Sequence, residues 1–401
     1  MTTENKLAIL VCLFSFLVKL IILENIGIQY FADGNAYASI AKDIYKNNFF
    51  FPDTYLTDAP GLPYFFSLFE SFRSIISIDP YVFGNVLVSS LSVYVFYLIT
   101  FKIYKKKDIA LFAALLAAIY PFFIFYSLTW LSETLYIFFL YISVYFYLLF
   151  LERKRIVYLI LFSMFFAIDT LVRFVNFPMF FVFIFLTIYI LIKENFFASK
   201  IFQIVSICLL SYFLVLTPWL IRNYNVYETI VFTDSGSFGK VFFSGNNSFN
   251  KSGGGIGGID VRYEDLKRFE NIQNLSLREE TMIGESIQWI KSNPIDWIQL
   301  EIKKLVRFFS PIFYAERFNK LGYNLISFST YGVILVAFVI SFRKNFKYHF
   351  YETSPMLIYS LMLLGIHLIT ISSIRYRLPI EPMMIIMSSP IIFLFLKRII
   401  K

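Results

Sequence analysis

The stretch LSETLYIFFLYISVYFYLLFLERKR, Leu131–Arg155, decides the fold class. Residues 134–151 carry no charge. A helix needs about 20 mostly apolar residues to cross the hydrocarbon core of a bilayer. Glu133 stands at one end of this run, and Glu152, Arg153, Lys154 and Arg155 stand at the other. Excess Lys and Arg mark the cytoplasmic end of a span, so the segment carries its own orientation.

Nine further segments read in the same way: 6–23, 81–101, 109–126, 156–169, 174–192, 201–219, 324–342, 355–371 and 380–396. With 133–151 they give about ten transmembrane helices and an all-α integral membrane protein. No small-residue cleavage site follows 6–23, so that segment is expected to stay as a span rather than to be removed as a signal. Composition agrees. Of 401 residues 58% are hydrophobic and 16% charged, where soluble domains average roughly 25% charged. The two cysteines, Cys12 and Cys208, lie inside apolar runs, and the only histidines are His349 and His367. A disulfide framework and a cysteine- or histidine-rich metal site are excluded.

The basic residues fix the topology when the N-terminus is cytoplasmic. The inner segments 1–6, 102–108, 152–155, 193–200, 343–354 and 397–401 hold 16 Lys and Arg and a net charge of +11. The short outer turns hold only Arg173, Arg375 and Arg377. Both termini are therefore expected in the cytoplasm. The total charge of +9 orients the chain, and no excess is left for a nucleic acid. Two outer segments are long. The first, 24–80, has a net charge of −4, and the second, 220–323, has +1. The second is read as partly folded. Its Ser252–Gly258 stretch is expected to be a flexible loop, without the Gly-Lys-Ser/Thr ending of a phosphate loop. Residues 279–307 are expected to form helices along the membrane surface, anchored by Ile283, Ile287, Ile290, Trp297 and Leu300. No internal repeat points to an inverted-repeat transporter.

Charges at span ends are expensive and therefore functional candidates. They gather at outer ends: Asp33, Glu133, Asp169, Arg173, Arg222, Arg375, Arg377 and Glu381, with Lys19 inside the first span. Each alone could be an interfacial charge or a structural ion pair. As a group they describe an outward-facing polar site. Arginine forks match phosphate oxygens, and a carboxylate suits removal of a proton from a hydroxyl. The combination fits displacement at a sugar carbon bearing a phosphate leaving group, which needs one base and cationic stabilisation of the phosphate. Glycoside hydrolysis would need two carboxylates.

At this point the sequence resembles a family. Asp33-Gly34-Asn35-Ala36-Tyr37 is similar to the Asp-x-x-x-Tyr motif in the first outer loop of GT-C glycosyltransferases of the protein mannosyltransferase and aminoarabinose transferase group (family 39 and its bacterial relatives). Asp58-Ala59-Pro60-Gly61-Leu62-Pro63-Tyr64 resembles the Pro-rich stretch of the same loop, and Ser132-Glu133 the Ser-Glu pair. Leu171-Val172-Arg173-Phe174 resembles a Thr-Arg-Pro element with Phe174 in place of the proline. Pro218-Trp219-Leu220-Ile221-Arg222-Asn223 is similar to Pro-Trp-x-x-Arg-Asn, and Phe243-Ser244-Gly245-Asn246-Asn247 resembles the Gly-Asn that follows. Arg375-Tyr376-Arg377-Leu378-Pro379-Ile380-Glu381-Pro382 is similar to Arg-Tyr-x-x-Pro-x-x-Pro. The order is right over nearly the whole chain.

The resemblance implies a single GT-C membrane domain, 1–401, with two large outer loops at 24–80 and 220–323. It implies an inverting transferase that takes a sugar from a polyprenyl-phosphate donor. The acceptor hydroxyl would lie on a protein Ser/Thr, a lipopolysaccharide or another cell-envelope glycan. Asp33 takes the place of the catalytic carboxylate; its other reading is a helix N-cap before Asn35–Asn47. Tyr37, Asp58, Glu133, Arg173, Arg222, Asn223, Arg375 and Arg377 are the implied substrate-binding residues, with Arg375 and Arg377 alternatively topology anchors. No cofactor is obligatory. The Trp-Trp-Asp signature of N-linked oligosaccharyltransferases is missing, so a divalent metal is not expected. The acidic residue common after the first Asp is Gly34, and Ala59-Pro60 lacks the lysine of the aminoarabinose enzymes, which argues against that sugar. Expected partners are the lipid-linked donor, membrane lipids and a glycan or protein acceptor. The Phe-, Ile- and Lys-rich composition fits an AT-rich bacterial genome, and the expected location is a bacterial inner membrane with the active site on the outer face. A flippase or exporter of a lipid-linked sugar is the alternative, and a degenerate scaffold a third reading. A transporter would carry charges near the midplane, whereas here they sit at the rim.

Overall fold

The computed structural model describes residues 3–48, 50–52, 59–227, 236–255, 263–272 and 274–399. Nineteen α-helices run through them: α1 (Thr3–Ile26), α2 (Ala32–Lys46), α3 (Gly61–Glu70), α4 (Pro80–Tyr104), α5 (Lys107–Ala118), α6 (Pro121–Ser127), α7 (Glu133–Arg153), α8 (Ile156–Val172), α9 (Asn176–Lys193) and α10 (Ala198–Tyr227), then α11 (Gly236–Gly245), α12 (Tyr263–Glu270), α13 (Leu275–Ser292), α14 (Pro294–Phe309), α15 (Leu321–Ser327), α16 (Val333–Tyr348), α17 (Phe350–Ile369), α18 (Ile374–Arg377) and α19 (Glu381–Ile399). A π-helical turn, Phe328–Gly332, joins α15 to α16, and a 3₁₀ turn, Leu378–Ile380, joins α18 to α19. No strand occurs among the described residues.

Eight of these stretches are long and apolar enough to cross a membrane; α5 and α6 pass the same test only together, as a bent pair that is either a broken span or a re-entrant loop, and α8 is a shorter apolar helix. They fall on the ten expected segments. The bend is 52° and lies at Pro121. Proline removes a backbone donor and drives the residue before it out of the helical region; Tyr120 is accordingly extended, with φ −69° and ψ 118°. At the start of α4, Asp79 accepts from the backbone N–H groups of Tyr81 and Val82 at 3.0 and 3.1 Å, with Pro80 in the first turn. This is a capped and pre-set N-terminus. Helices α4 and α7 both end on a left-handed lysine, Lys105 (φ 54°) and Lys154 (φ 51°).

Those lysines mark one end of the bundle. Lys102 pairs with Glu152, Lys154 with Glu194 at 2.7 Å, and Lys193 donates to the Tyr351 hydroxyl at 2.7 Å. Four of the sequence-predicted inner segments, 102–108, 152–155, 193–200 and 343–354, therefore meet on one side, and the N-terminal ends of α4 and α7 lie at the other. Between them the main core is an aromatic-rich cluster through α4, α5, α7, α8, α9, α10, α17 and α19. Helix α1 packs on α4 and α5 and leaves Leu10, Leu13, Leu17 and Ile21 exposed, the surface expected of a lipid-facing helix.

The second outer segment has a small core of its own, Phe243, Leu266, Phe269 and Met282. The expected surface helices are α13 and α14, divided at Asn293-Pro294. Of the expected anchors, Leu300 is buried within the protein instead. In α14 the buried stripe is Leu300, Lys304 and Phe308, while Ile295, Ile298, Ile302, Leu305 and Val306 are exposed. Their spacing of three, four, three and one residues makes one apolar stripe, the face an interfacial helix lays on a bilayer. Residues 252–255 do not form the loose loop expected. Gly253 has φ +80°, and a Cβ there would stand 2.7 Å from Lys304 Cγ. Its carbonyl accepts from the Ser372 N–H at 3.0 Å. Residues 256–258 lie outside the described residues.

Candidate active site

Four sequence-predicted residues form one network at the α4/α7 N-terminal end. Glu133 opens α7, where the helix dipole favours a negative charge. It is fully buried. Its Oε1 accepts from Arg173 Nη2 and from Arg375 Nε. Its Oε2 has no hydrogen-bond partner among the described residues. Arg173 ends α8 in an extended conformation, which turns the chain into α9, and its Nε donates to Ser132 Oγ at 2.9 Å. Burial opposes the charge on Arg173, yet the adjacent Glu133 holds it firmly protonated. Arg375 sits on α18, whose first turn is capped by Ser373 Oγ. Its Nη1 donates to Asp33 Oδ2 at 2.8 Å. Asp33 is the most open member, with its side chain 55% exposed, against 24% for Arg375 and 1% for Glu133.

Asp33 lies in the first turn of α2 and is not its cap. The capping position is Phe31, which makes no side-chain cap hydrogen bond. The alternative reading of Asp33 as an N-cap is thereby corrected, because the helix begins at Ala32. Gly34 explains the departure from the family pattern. A Cβ there would meet Trp130 Cβ and its carbonyl oxygen at 3.0 Å, so a larger residue would need Trp130 to shift. Tyr37, one turn on, is partly buried against the core and close enough to act electrostatically on Arg173.

The other expected residues stand elsewhere. Arg377 is fully buried. Its Nε donates to Glu381 Oε1 at 2.6 Å and its Nη1 to the carbonyls of Ser310 and Phe308 at 2.6 and 3.2 Å. It also lies over the Tyr331 ring. This is an internal ion pair, and Arg377 does not join the Asp33 network. Arg222 donates from Nη2 to the Pro52 carbonyl at 2.7 Å and from Nη1 to buried Asn223 at 3.0 Å. It packs on Phe51 and Trp219, which fastens the first outer segment to α10. Asp169 accepts from Asn176 at 2.7 Å, and Lys19 donates to Ser15 at 2.5 Å. Asp58 lies outside the described residues. The convergence expected of eight charges is thus a convergence of four. Among the described residues no three His, Cys, Asp or Glu side chains gather as a metal site.

Beside the network is a cavity of about 690 Å³. Its walls come from α1 (Ile22, Ile26), the bend of α5 and α6 (Phe122, Phe125), the 311–320 segment (Phe313, Phe318) and α15. Phe31, two residues before Asp33, also lines it. The charged side chains among its described lining residues are Arg375 and Arg307. Sequence reading missed Arg307, which looks like one more cation on an amphipathic helix beside Lys303 and Lys304. Lys304 itself is a buried structural residue. It donates to Glu301 at 2.7 Å, the Leu368 carbonyl at 2.8 Å and Asn246 at 3.2 Å. Burial lowers its proton affinity and raises that of Glu301.

With this geometry in view, residues 57–221 match the family described as dolichyl-phosphate-mannose-protein mannosyltransferase. Among solved structures the chain is similar to the archaeal oligosaccharyltransferase AglB from Archaeoglobus fulgidus, determined in complex with an inhibitory peptide and a dolichol-phosphate. The likeness has a TM-score of 0.55 at 12% identity and covers 96% of this chain. The likeness shows the fold, which is of the GT-C type. The chain spans 49% of AglB, about half its length. The family match contains Glu133 and Arg173 and leaves Asp33, Arg222 and Arg375 outside it. No curated protein sequence matches. The GT-C resemblance read from the motifs stands, on a multi-pass membrane protein.

Proposed function

We propose that the protein is an inverting glycosyltransferase that moves a sugar from a polyprenyl-phosphate donor to a hydroxyl acceptor at the outer face of a bacterial inner membrane. One observation carries the reading. Arg375 belongs to two places at once, because it lines the apolar cavity and donates to Asp33. A long apolar chain fits the aromatic and aliphatic walls, and its phosphate meets a guanidinium fork at the polar end. The sugar on that phosphate then lies toward Asp33.

The chemistry follows from these positions. The acceptor oxygen attacks the anomeric carbon from the face opposite the phosphate. Asp33 takes the hydroxyl proton as the new C–O bond forms. The bond from the anomeric carbon to the phosphate oxygen breaks, and polyprenyl phosphate leaves with the electron pair. Arg375 stabilises the added negative charge. Glu133 and Arg173 are positioning residues: Glu133, shared between both arginines, keeps Arg375 from swinging out, and Arg173 offsets its charge. The acceptor is a protein Ser/Thr, a lipopolysaccharide or another envelope glycan, reached from the exposed side of Asp33.

The test is reconstitution of the purified full chain in liposomes, with lipids extracted from its native membrane as donor source and mass spectrometry as readout. The reading expects a copurifying polyprenyl-phosphate-linked sugar and loss of that sugar from the lipid when acceptor is added. Movement of the lipid-linked sugar between leaflets without transfer would support the flippase reading instead.

A further inference from the structure

The four-residue network has no formal charge of its own, since Asp33 and Glu133 balance Arg173 and Arg375. An incoming phosphate therefore adds negative charge that the network itself does not compensate and that a further cation would stabilise. Arg307 lines the same cavity as Arg375. It stands in the last turn of α14, donates to Ser252 Oγ at 2.6 Å and stacks over the Tyr314 ring at 4.7 Å.

Its location relative to Arg375 is fixed from both sides along α14. One turn before it, the Lys304 ammonium holds the Leu368 carbonyl, and the Lys304 carbonyl accepts from Ser372 Oγ at 2.7 Å. Immediately after it, Arg377 holds the carbonyls of Phe308 and Ser310. Both clamps reach to the 368–377 segment that carries Arg375. A guanidinium held this way loses little freedom on binding an anion.

We propose that Arg307 is a second phosphate-contacting residue of the donor site, and that the Lys304 and Arg377 clamps set its distance from Arg375. This rests on the donor reading above. The ligand it would take is a phosphate monoester carrying a long apolar chain, held between the Arg307 and Arg375 forks.

The experiment measures binding to the purified full chain in detergent, without any sugar or acceptor. The probes are a polyprenyl monophosphate and the polyprenol of the same length. For Arg307→Ala, affinity for the monophosphate should fall by about tenfold, as for loss of a charged hydrogen bond, with polyprenol binding unchanged. Arg307→Lys should keep part of the affinity. Equal loss for both probes would mean that Arg307 merely shapes the cavity. An unchanged monophosphate affinity would remove it from the site. Either result overturns the inference and leaves the donor reading standing. A wild-type protein that binds monophosphate no better than polyprenol would overturn the donor reading and this inference together.

Discussion

Arg375 and Arg377 are two residues apart, and they do opposite things. Arg375 lines an open cavity and touches two carboxylates. Arg377 is sealed between Glu381, Tyr331 and the end of α14. Helical geometry causes the split: two steps of a helix turn the side chain by about 200°. Arginines at i and i+2 of α18 cannot serve one phosphate from the same face. In α18 the Arg-x-Arg pair is one cavity-facing fork and one fastener.

Three single variants and one double variant probe that division. On the side of the fork, Asp33→Asn should lower transfer turnover by about 10³-fold and leave thermal unfolding unchanged, because its side chain is largely exposed. Turnover within a factor of a few of wild type would show that Asp33 is not the base. On the fastened side, Arg377→Met should cost about 3–5 kcal/mol of stability by leaving Glu381 buried and unpaired. The drop should be visible as a lower melting temperature in detergent, and adding Glu381→Leu should recover most of it. A double variant no more stable than the single one would argue against a role in fastening. The smallest effect is expected from Arg222→Ala. Its contacts are to Pro52 and to aromatic rings, so it should loosen the first outer segment at a cost of about 1–3 kcal/mol. Protease cleavage near residue 52 should speed up while monophosphate affinity stays the same. A selective loss of that affinity would return Arg222 to the phosphate site.

The spans were legible because run length and basic flanks are local properties. The 52° bend was less so: Pro121 lies inside an apolar run that reads as one helix, and only backbone geometry divides it. The gathering of Asp33, Glu133, Arg173 and Arg375 followed from the ordered motifs. Arg377 and Arg222 were grouped with them because a sequence gives residue type without direction. Arg307 left no signal, since its neighbours Lys303 and Lys304 make the segment look like an ordinary solvated face. Leu300, expected as a membrane anchor, is buried beside Lys304 and Phe308 for a related reason. Apolar residues on an interfacial helix face lipid, so the buried side can hold a lysine, as Lys304 does.

The bend at Pro121 has a consequence for kinetics. It leaves the cavity walled by α1 on one side and α15 on the other, with Ile26, Tyr323 and Ile326 exposed at the edge. If the donor reading proposed above holds, a lipid entering between them would not pass through water. The quantity that governs occupancy is then the lipid's mole fraction in its leaflet. Dilution of the cell suspension leaves it unchanged, while added detergent or inert phospholipid lowers it. Apparent affinities for such a donor carry meaning only as surface concentrations.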